Sequence, residues 1–450
     1  MSLAEVLARI DSDLPAALDR LMALLRIPSI STDPAFNADC ARAADWLVQD
    51  LRDLGFQAES RPTPGHPMVV AHGGTGGGRH LLFYGHYDVQ PVDPLSLWHR
   101  DPFDPAIEDG PRGPLIRGRG ASDDKGQLMT FIEALRAWKT VHGGLPGKIT
   151  IFLEGEEESG SPSLIPFMQA NAAELKADLA LICDTGLFDD ETPAITTMLR
   201  GLLGEEITIH GPDKDLHSGS YGGAAMNPIR VLTKILGNLH DEHGRITIPG
   251  FYDDVDELPD AIRAQWQSLP FDPAKFLGDV GLSVPAGEVD RTPLEQLWSR
   301  PTAEINGIWG GYQGEGFKTV LPAEAHAKVS FRLVSRQDPL KLRDAFRAWV
   351  TAQLPKDCRV EFKAHGNSPA GVMQIADPAF EAARQALTEE WGRPAAYIGC
   401  GGSIPIAGYF KTWLGMDAML VGFGRDDDQI HSPNEKYDLD CFRHGIRSWA

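Results

Sequence analysis

Two histidines and a group of carboxylates between residues 86 and 431 have the types and settings for chemistry. His86-Tyr87-Asp88 follows an apolar run, 81–84, that reads as a buried strand. The stretch Glu154-Gly155-Glu156-Glu157-Glu158-Ser159-Gly160 follows a second run, 149–153. Asp184 follows a third, 179–183, and His431 lies in the loop after a fourth, 418–422. Ser122-Asp123-Asp124-Lys125-Gly126 occupies the turn before a helical pattern at 127–140. Carboxylates packed side by side repel unless protons or cations intervene. Two imidazoles with Asp and Glu oxygens form a good donor set for zinc and related ions. Two such ions about 3.5–4 Å apart, bridged by one carboxylate, polarise a scissile carbonyl and lower the pKa of a shared water toward about 7. The adjacent pair Glu157-Glu158 suits a division of labour, one as metal donor and one as general base.

Each motif alone has a blander reading. With 14 histidines and 63 acids, one His-x-Asp is more often a surface or satisfied core pair. Asp123-Asp124-Lys125-Gly126 alone reads as a solvated turn with a helix N-cap, and Glu156 to Glu158 alone as an acidic loop. The constellation gains force from its elements. In open α/β sheets, sites form beyond the carboxyl ends of strands, and four of the five motifs sit just after predicted buried strands.

The elements that must position these residues alternate in the first part of the chain: strands at 68–71, 81–84, 148–153 and 177–183, helices at 127–140 and 164–171. Alternation of this kind predicts an α/β layered domain. The glycine run 73–78 lacks the Gly-Lys-Ser/Thr ending of a phosphate loop and precedes no helical pattern, so it reads as a strand-to-strand turn. From about residue 200 the order becomes β-α-β-β-α-β: strands 205–210, 304–308, 323–334 and 359–364, helices 227–240 and 339–354. That order suggests an inserted ferredoxin-like α+β domain. The α/β pattern resumes near residue 371 with a helix at 378–391 and the strand 418–422. The expected organisation is a first catalytic part over 1–199, an insertion over 200–369 and a second catalytic part over 370–450. The segment 241–300 shows no readable motif.

Composition narrows the function classes. The 450 residues are 42% hydrophobic and 23% charged, as in ordinary soluble globular chains. The formal charge of −21 disfavours nucleic acid and anionic membranes as partners. Five scattered cysteines form no C-x-x-C pair and point to a reducing compartment. The first 26 residues read as an amphipathic helix rather than a signal peptide, and no apolar run approaches the roughly 20 residues of a membrane span. The cytoplasm is the expected location.

The motifs resemble those of the M20 metallopeptidases, most closely the dipeptidase branch with its cytosolic non-specific and carnosine-type enzymes. The resemblance rests on Gly85-His86-Tyr87-Asp88-Val89-Gln90-Pro91, on Gly118-Arg119-Gly120-Ala121-Ser122-Asp123-Asp124-Lys125-Gly126, and on the run from Glu154 to Gly160. It continues through Asp215-Leu216-His217-Ser218-Gly219-Ser220-Tyr221-Gly222-Gly223, Gly401-Gly402-Ser403-Ile404-Pro405 and His431-Ser432-Pro433-Asn434-Glu435. These motifs are collinear over nearly the whole chain. The resemblance implies a zinc-peptidase-type catalytic domain holding two divalent ions, zinc first, with manganese and cobalt compatible with the same ligands. His86 and Asp184 would hold one ion, and Glu158 and His431 the other. Asp123 would bridge them, with Asp124 as the competing choice and a cis peptide bond often following the bridging aspartate. Asp88 would orient His86, and Glu157 would be the general base.

The resemblance further implies that the insertion is a lid and dimerisation domain in a homodimer. His217 would then reach a neighbouring subunit's site to stabilise the oxyanion. Arg332 would grip the terminal carboxylate of a small peptide substrate, with Asn227, Thr319, Gly402 and Ser403 as further substrate contacts. Gln127 departs from the proline that close dipeptidase relatives often carry there. The expected function is hydrolysis of dipeptides. The alternatives are N-acyl-amino-acid deacylation on the same metal core, and a catalytically silent binding homologue, which should have lost a ligand or the base.

Overall fold

Four of the predicted apolar runs are buried along essentially their whole length. This is what strands covered on both faces of a parallel sheet require. In the computed structural model, which describes residues 2–75, 77–402 and 404–450, they are the strands Leu81–His86, Ile149–Glu154, Leu179–Ile182 and Ala418–Val421. They lie side by side in the order Ile149–Glu154, Leu81–His86, Leu179–Ile182, Ala418–Val421, every neighbouring pair parallel. His86 is paired with Glu154, and Ile182 with both Tyr84 and Leu420. All four chains therefore leave the sheet at one edge. Antiparallel strands flank this core: Met68–Gly73 and Gln57–Arg61 on one side, Ala194–Leu199 on the other. The glycine-rich segment does connect two strands, but Ile149–Glu154 is inserted between them in the sheet; its Gly76 lies outside the described residues.

The helix Lys125–His142 packs between Leu3–Leu25 and Leu439–Trp449. Phe131 on this helix stacks on Phe83 of the sheet with centroids 4.0 Å apart, and Trp449 meets Phe131 edge-on at 5.4 Å. Each such pair contributes about 0.5–1.5 kcal/mol beyond its buried area. This packing fixes the start of the helix, and so the Asp123-Asp124 turn before it, against the edge where the strands end. A small antiparallel sheet of Ala106–Gly110, Gly113–Arg117 and Lys436–Asp438 brings residues near 118 alongside residues near 435.

Contact density divides the chain into two units. The first comprises 1–197, 373–397 and 409–450, and the second 198–372 with 398–408. The last segment corrects the sequence-based boundary, which assigned everything after 370 to the catalytic part; Gly399 packs against the Trp298 ring of the second unit. This unit has the β-α-β-β-α-β order of Gly201–His210, Pro228–Gly237, Thr302–Gly310, Glu324–Leu333, Pro339–Ala352 and Arg359–Ser368. Its strands form an antiparallel sheet in the order Thr302–Gly310, Glu324–Leu333, Gly201–His210, Arg359–Ser368, the predicted ferredoxin-like arrangement. Alternation along Gly201–His210 and Glu324–Leu333 buries Leu203, Ile207, Val329 and Phe331 with helix residues Leu232 and Phe346. Glu205 falls in the same inward register and is held by Arg343 and Arg347 at 3.1 and 2.8 Å. The unread segment 241–300 contains three short helices, Asp260–Ser268, Pro273–Gly278 and Pro293–Trp298. Among the described residues, no helix is long and apolar enough to cross a membrane, and the five cysteines are unpaired.

Candidate metal centre

The shared edge of the four parallel strands gathers seven of the predicted residues. His86 is the last residue of its strand and is fully buried. Its Nε2 lies 3.1 Å from Asp123 Oδ1 and 3.9 Å from Asp184 Oδ2. His431 Nε2 lies 2.9 Å from the other oxygen of Asp123 and 3.3 Å from Glu158 Oε2. The donor atoms thus form two trios, His86–Asp123–Asp184 and Asp123–Glu158–His431. Each trio is contained within 4.8 Å, and the two share one carboxylate. Asp123 faces both imidazoles, whereas the Asp124 carboxylate takes the backbone N–H of His86 at 3.0 Å. The peptide bond between these two aspartates is cis.

The local electrostatics follow from crowding acids at a buried edge. Burial, then the charges of Asp123, Glu157 and Glu158, raise the Asp184 pKa well above the usual carboxylate range, against the pull of His86. Burial also pushes Glu157 up to about 7; Glu158, Asp88 and Asp123 add to the rise, and His86 opposes it. For His86, burial alone would lower the pKa, but hydrogen bonds to Asp123 and Asp88 outweigh it and raise the value well above that of a free imidazole. Hydrogen bonds to Asp123 and Glu158 push the half-exposed His431 up to about 10. Four carboxylates and two imidazoles within one cluster are mutually stabilised when cations share the acids. The mixed nitrogen and oxygen set suits divalent ions of the zinc type, so the residues present fit a two-ion centre.

The acidic run sorts into separate roles. Glu154 is buried against the Tyr84 hydroxyl, which donates to it. Glu156 accepts the backbone N–H groups of His66 and Ser163 at 2.9 and 3.0 Å, stapling its loop. Only Glu157 and Glu158 are left at the cluster. Asp88 does more than the sequence suggested. Its carboxylate stands 3.4 Å from His86 Nδ1, whose closer partner is the Asp88 carbonyl at 3.1 Å. It also accepts the backbone N–H groups of Glu157 and Glu158 at 3.2 and 3.0 Å. Asp88 therefore orients a histidine, most closely through its carbonyl, and its buried carboxylate fixes the turn that carries the adjacent glutamates. Gln90, quoted only as part of a motif, donates to Glu158 Oε2 at 2.6 Å. Gln127 lies in the first turn of the helix Lys125–His142, and its side-chain oxygen accepts the N–H of Phe423 at 2.8 Å.

The other predicted residues belong to the second unit. His217 is exposed on the short strand Leu216–His217, which pairs with Val320–Leu321. Its Nδ1 accepts the N–H of Gly219 at 3.0 Å, so in the neutral ring the proton resides on Nε2. Thr319 is adjacent, its carbonyl accepting from Ser218 N–H at 3.1 Å. Asn227 is employed as a helix N-cap, its side-chain oxygen taking Ile229 N–H at 2.9 Å. Arg332 is half-buried on Glu324–Leu333, opposite Leu202 and Thr302. Burial and the charge of Arg332 lower the Arg200 pKa to about 10, placing a second guanidinium, missed in the sequence, near the first. The Gly402 carbonyl accepts the N–H of Arg200 at 3.2 Å. Ser403 lies outside the described residues.

The sequence profile described as peptidase family M20/M25/M40 matches residues 82–450. The Cys-Gly metallodipeptidase of Schizosaccharomyces pombe is 31% identical over 463 aligned positions, covering 99% of this chain and 97% of that protein. The human Beta-Ala-His dipeptidase is 30% identical, covering 94% of this chain and 86% of its own length. The solved structure of an M20 family metallo-carboxypeptidase from Sulfolobus solfataricus superposes with a TM-score of 0.79 at 32% identity, covering 96% of this chain and 97% of that one. Sequence, fold and the paired donor trios agree, and the chain belongs to peptidase family M20/M25/M40.

Proposed function

We propose that this protein hydrolyses the amide bond of dipeptides and similarly small peptides at a centre of two divalent ions, zinc in the first place. The observation that carries the reading is the sharing of Asp123 between two donor trios, one completed by His86 and Asp184 and the other by Glu158 and His431. The dipeptidase names of full-length relatives support the substrate class. Ions bound there supply Lewis acidity toward the scissile carbonyl and acidify the attacking water. Glu157 takes the water proton as the oxygen attacks the carbonyl carbon, and delivers it to the amide nitrogen as the C–N bond breaks. The Nε2–H of His217, donated across a homodimer, stabilises the oxyanion. Arg332 grips the substrate carboxylate, with Thr319, Asn227 and Gly402 as further substrate contacts. The second unit serves as lid and dimerisation domain. Five unpaired cysteines support a reducing, cytoplasmic setting.

The test is a screen of metal-stripped protein given back Zn²⁺, Mn²⁺ or Co²⁺, against dipeptides, N-acetylated amino acids and longer peptides. Dipeptide turnover that depends on added metal is expected. Turnover of only the acylated compounds would replace the reading with deacylation, and no turnover of any substrate with any ion would favour a binding homologue. In His431→Ala the trio containing Glu158 is expected to lose its ion while the other trio keeps its own; His86→Ala should show the reverse. Elemental analysis after desalting reads both, and full occupancy in either variant would remove that histidine from the ligand set.

A further inference from the structure

Among the motif residues with no part in this scheme, Arg119 and Glu435 are buried. The Glu435 carboxylate is fully enclosed and faces N–H donors only. Oε1 accepts the backbone N–H groups of Ser122 at 2.9 Å and Asp123 at 3.0 Å. Oε2 accepts Gly120 N–H at 2.9 Å and Arg119 Nη1 at 2.7 Å. A second buried carboxylate, Asp428, grips the same stretch, accepting the Ser122 hydroxyl at 2.8 Å. It is itself fixed by Arg425 N–H at 2.9 Å and Lys436 Nζ at 2.7 Å.

Glu435 and Asp428 lie four residues after and three residues before His431. The turn between them is exposed, with Gln429, His431 and Asn434 at positive φ of 56°, 60° and 67°. Hydrogen bonds within an exposed turn compete with water and hold an imidazole poorly. Anchors at both ends, seated on residues 120–123, transfer the rigidity of the Asp123 turn to it. Asp123 and His431 are the two donors of one trio that come from these two segments, and their side chains meet at 2.9 Å.

We infer that Glu435 and Asp428 are positioning residues, a two-pronged carboxylate latch that locks the His431 loop onto the Asp123 turn and sets the affinity of the Asp123–Glu158–His431 trio for its ion. The inference rests on the two-ion reading above. The neighbouring cluster of Asp427, Asp428 and Asp438 is not a third cation site, because Lys436 Nζ occupies it, within 2.8, 2.7 and 3.1 Å of the three carboxylates.

The decisive variant is Glu435→Gln, which keeps the volume but turns an amide NH₂ toward an N–H donor. Metal-stripped protein is titrated with Co²⁺, followed by its visible absorption and by calorimetry, with thermal melting of the apoprotein as the folding control. The wild type should bind two Co²⁺. Glu435→Gln should bind one with unchanged affinity and the second about 10- to 100-fold more weakly, the usual cost of losing a group that orients a ligand. Asp428→Asn should weaken the same ion, and serves as the test if Glu435→Gln does not fold. Arg112→Gln, which removes an outlying partner of Asp427 and Asp438, should bind both ions as the wild type does. Unchanged Co²⁺ binding in a folded latch variant, or equal weakening of both ions, overturns the inference. A wild type that binds no Co²⁺ overturns the two-ion reading itself.

Discussion

Glu157→Ala is expected to retain both proposed metal ions and lose turnover, with kcat falling by about 10²–10⁴-fold, the contribution typical of a positioned general base. The two halves of this expectation come from different observations. Metal is retained because Glu157 belongs to neither donor trio, although its neighbour Glu158 belongs to one. Turnover is lost because the carboxyl stands at the cluster with its turn fixed: the backbone N–H groups of 157 and 158 are both held by Asp88. A carboxyl held there is placed to accept a proton from an attacking water and later release it. Glu157→Gln preserves shape and removes only the exchangeable proton site, so it should match the alanine variant in kcat with KM little changed. Steady-state kinetics beside elemental analysis reads all of this. A normal kcat in either variant would take the role of base away from Glu157, and loss of metal would make it a ligand.

What sequence could and could not disclose follows from the kind of interaction involved. The parallel strands were legible because strands buried on both faces must be short apolar runs, and His86, Glu157, Glu158 and Asp184 follow such runs within a few residues. The β-α-β-β-α-β order of the second unit was legible through a different pattern, the alternation on Glu324–Leu333 that marks a strand buried on one face. The helices within 241–300 were not, because each has nine residues or fewer and short segments carry little periodicity. Nor was the membership of 398–408, which is decided by packing such as Gly399 on Trp298 rather than by local pattern. At the site, the candidate donors were readable from residue type, but the grip of Asp88 on the turn at 157 and 158 was not. It pairs a side chain with backbone N–H groups some 70 residues away, and every residue except proline offers such a donor. Gln90 and Arg200 escaped for a related reason. Each is one ordinary polar residue whose meaning depends on which group folding sets beside it.

His217→Ala is expected to lower kcat by about 10²–10³-fold, the cost of one lost oxyanion donor, while leaving metal content and melting temperature unchanged. The residue is exposed, lies in the second unit, and has no place in either donor trio, so its removal disturbs neither core nor ligands. Its tautomer is already that of a donor, since Nδ1 is engaged by Gly219 N–H. The proposal that it serves the neighbouring subunit makes a sharper demand. Mixing His217→Ala with Glu157→Ala, each nearly inactive, yields mixed dimers in which one site has Glu157 from the first protein and His217 from the second. With random exchange about half of the dimers are mixed, and each has one complete site of two, so activity should recover to roughly a quarter of the wild-type level. If His217 served its own subunit, every site in the mixture would lack one of the two residues and nothing would recover. Exchange is verified independently by giving the two proteins different masses and counting mixed dimers by native mass spectrometry. No recovery in the presence of mixed dimers would confine His217 to its own chain, and native spectra of monomers alone would remove the shared site altogether.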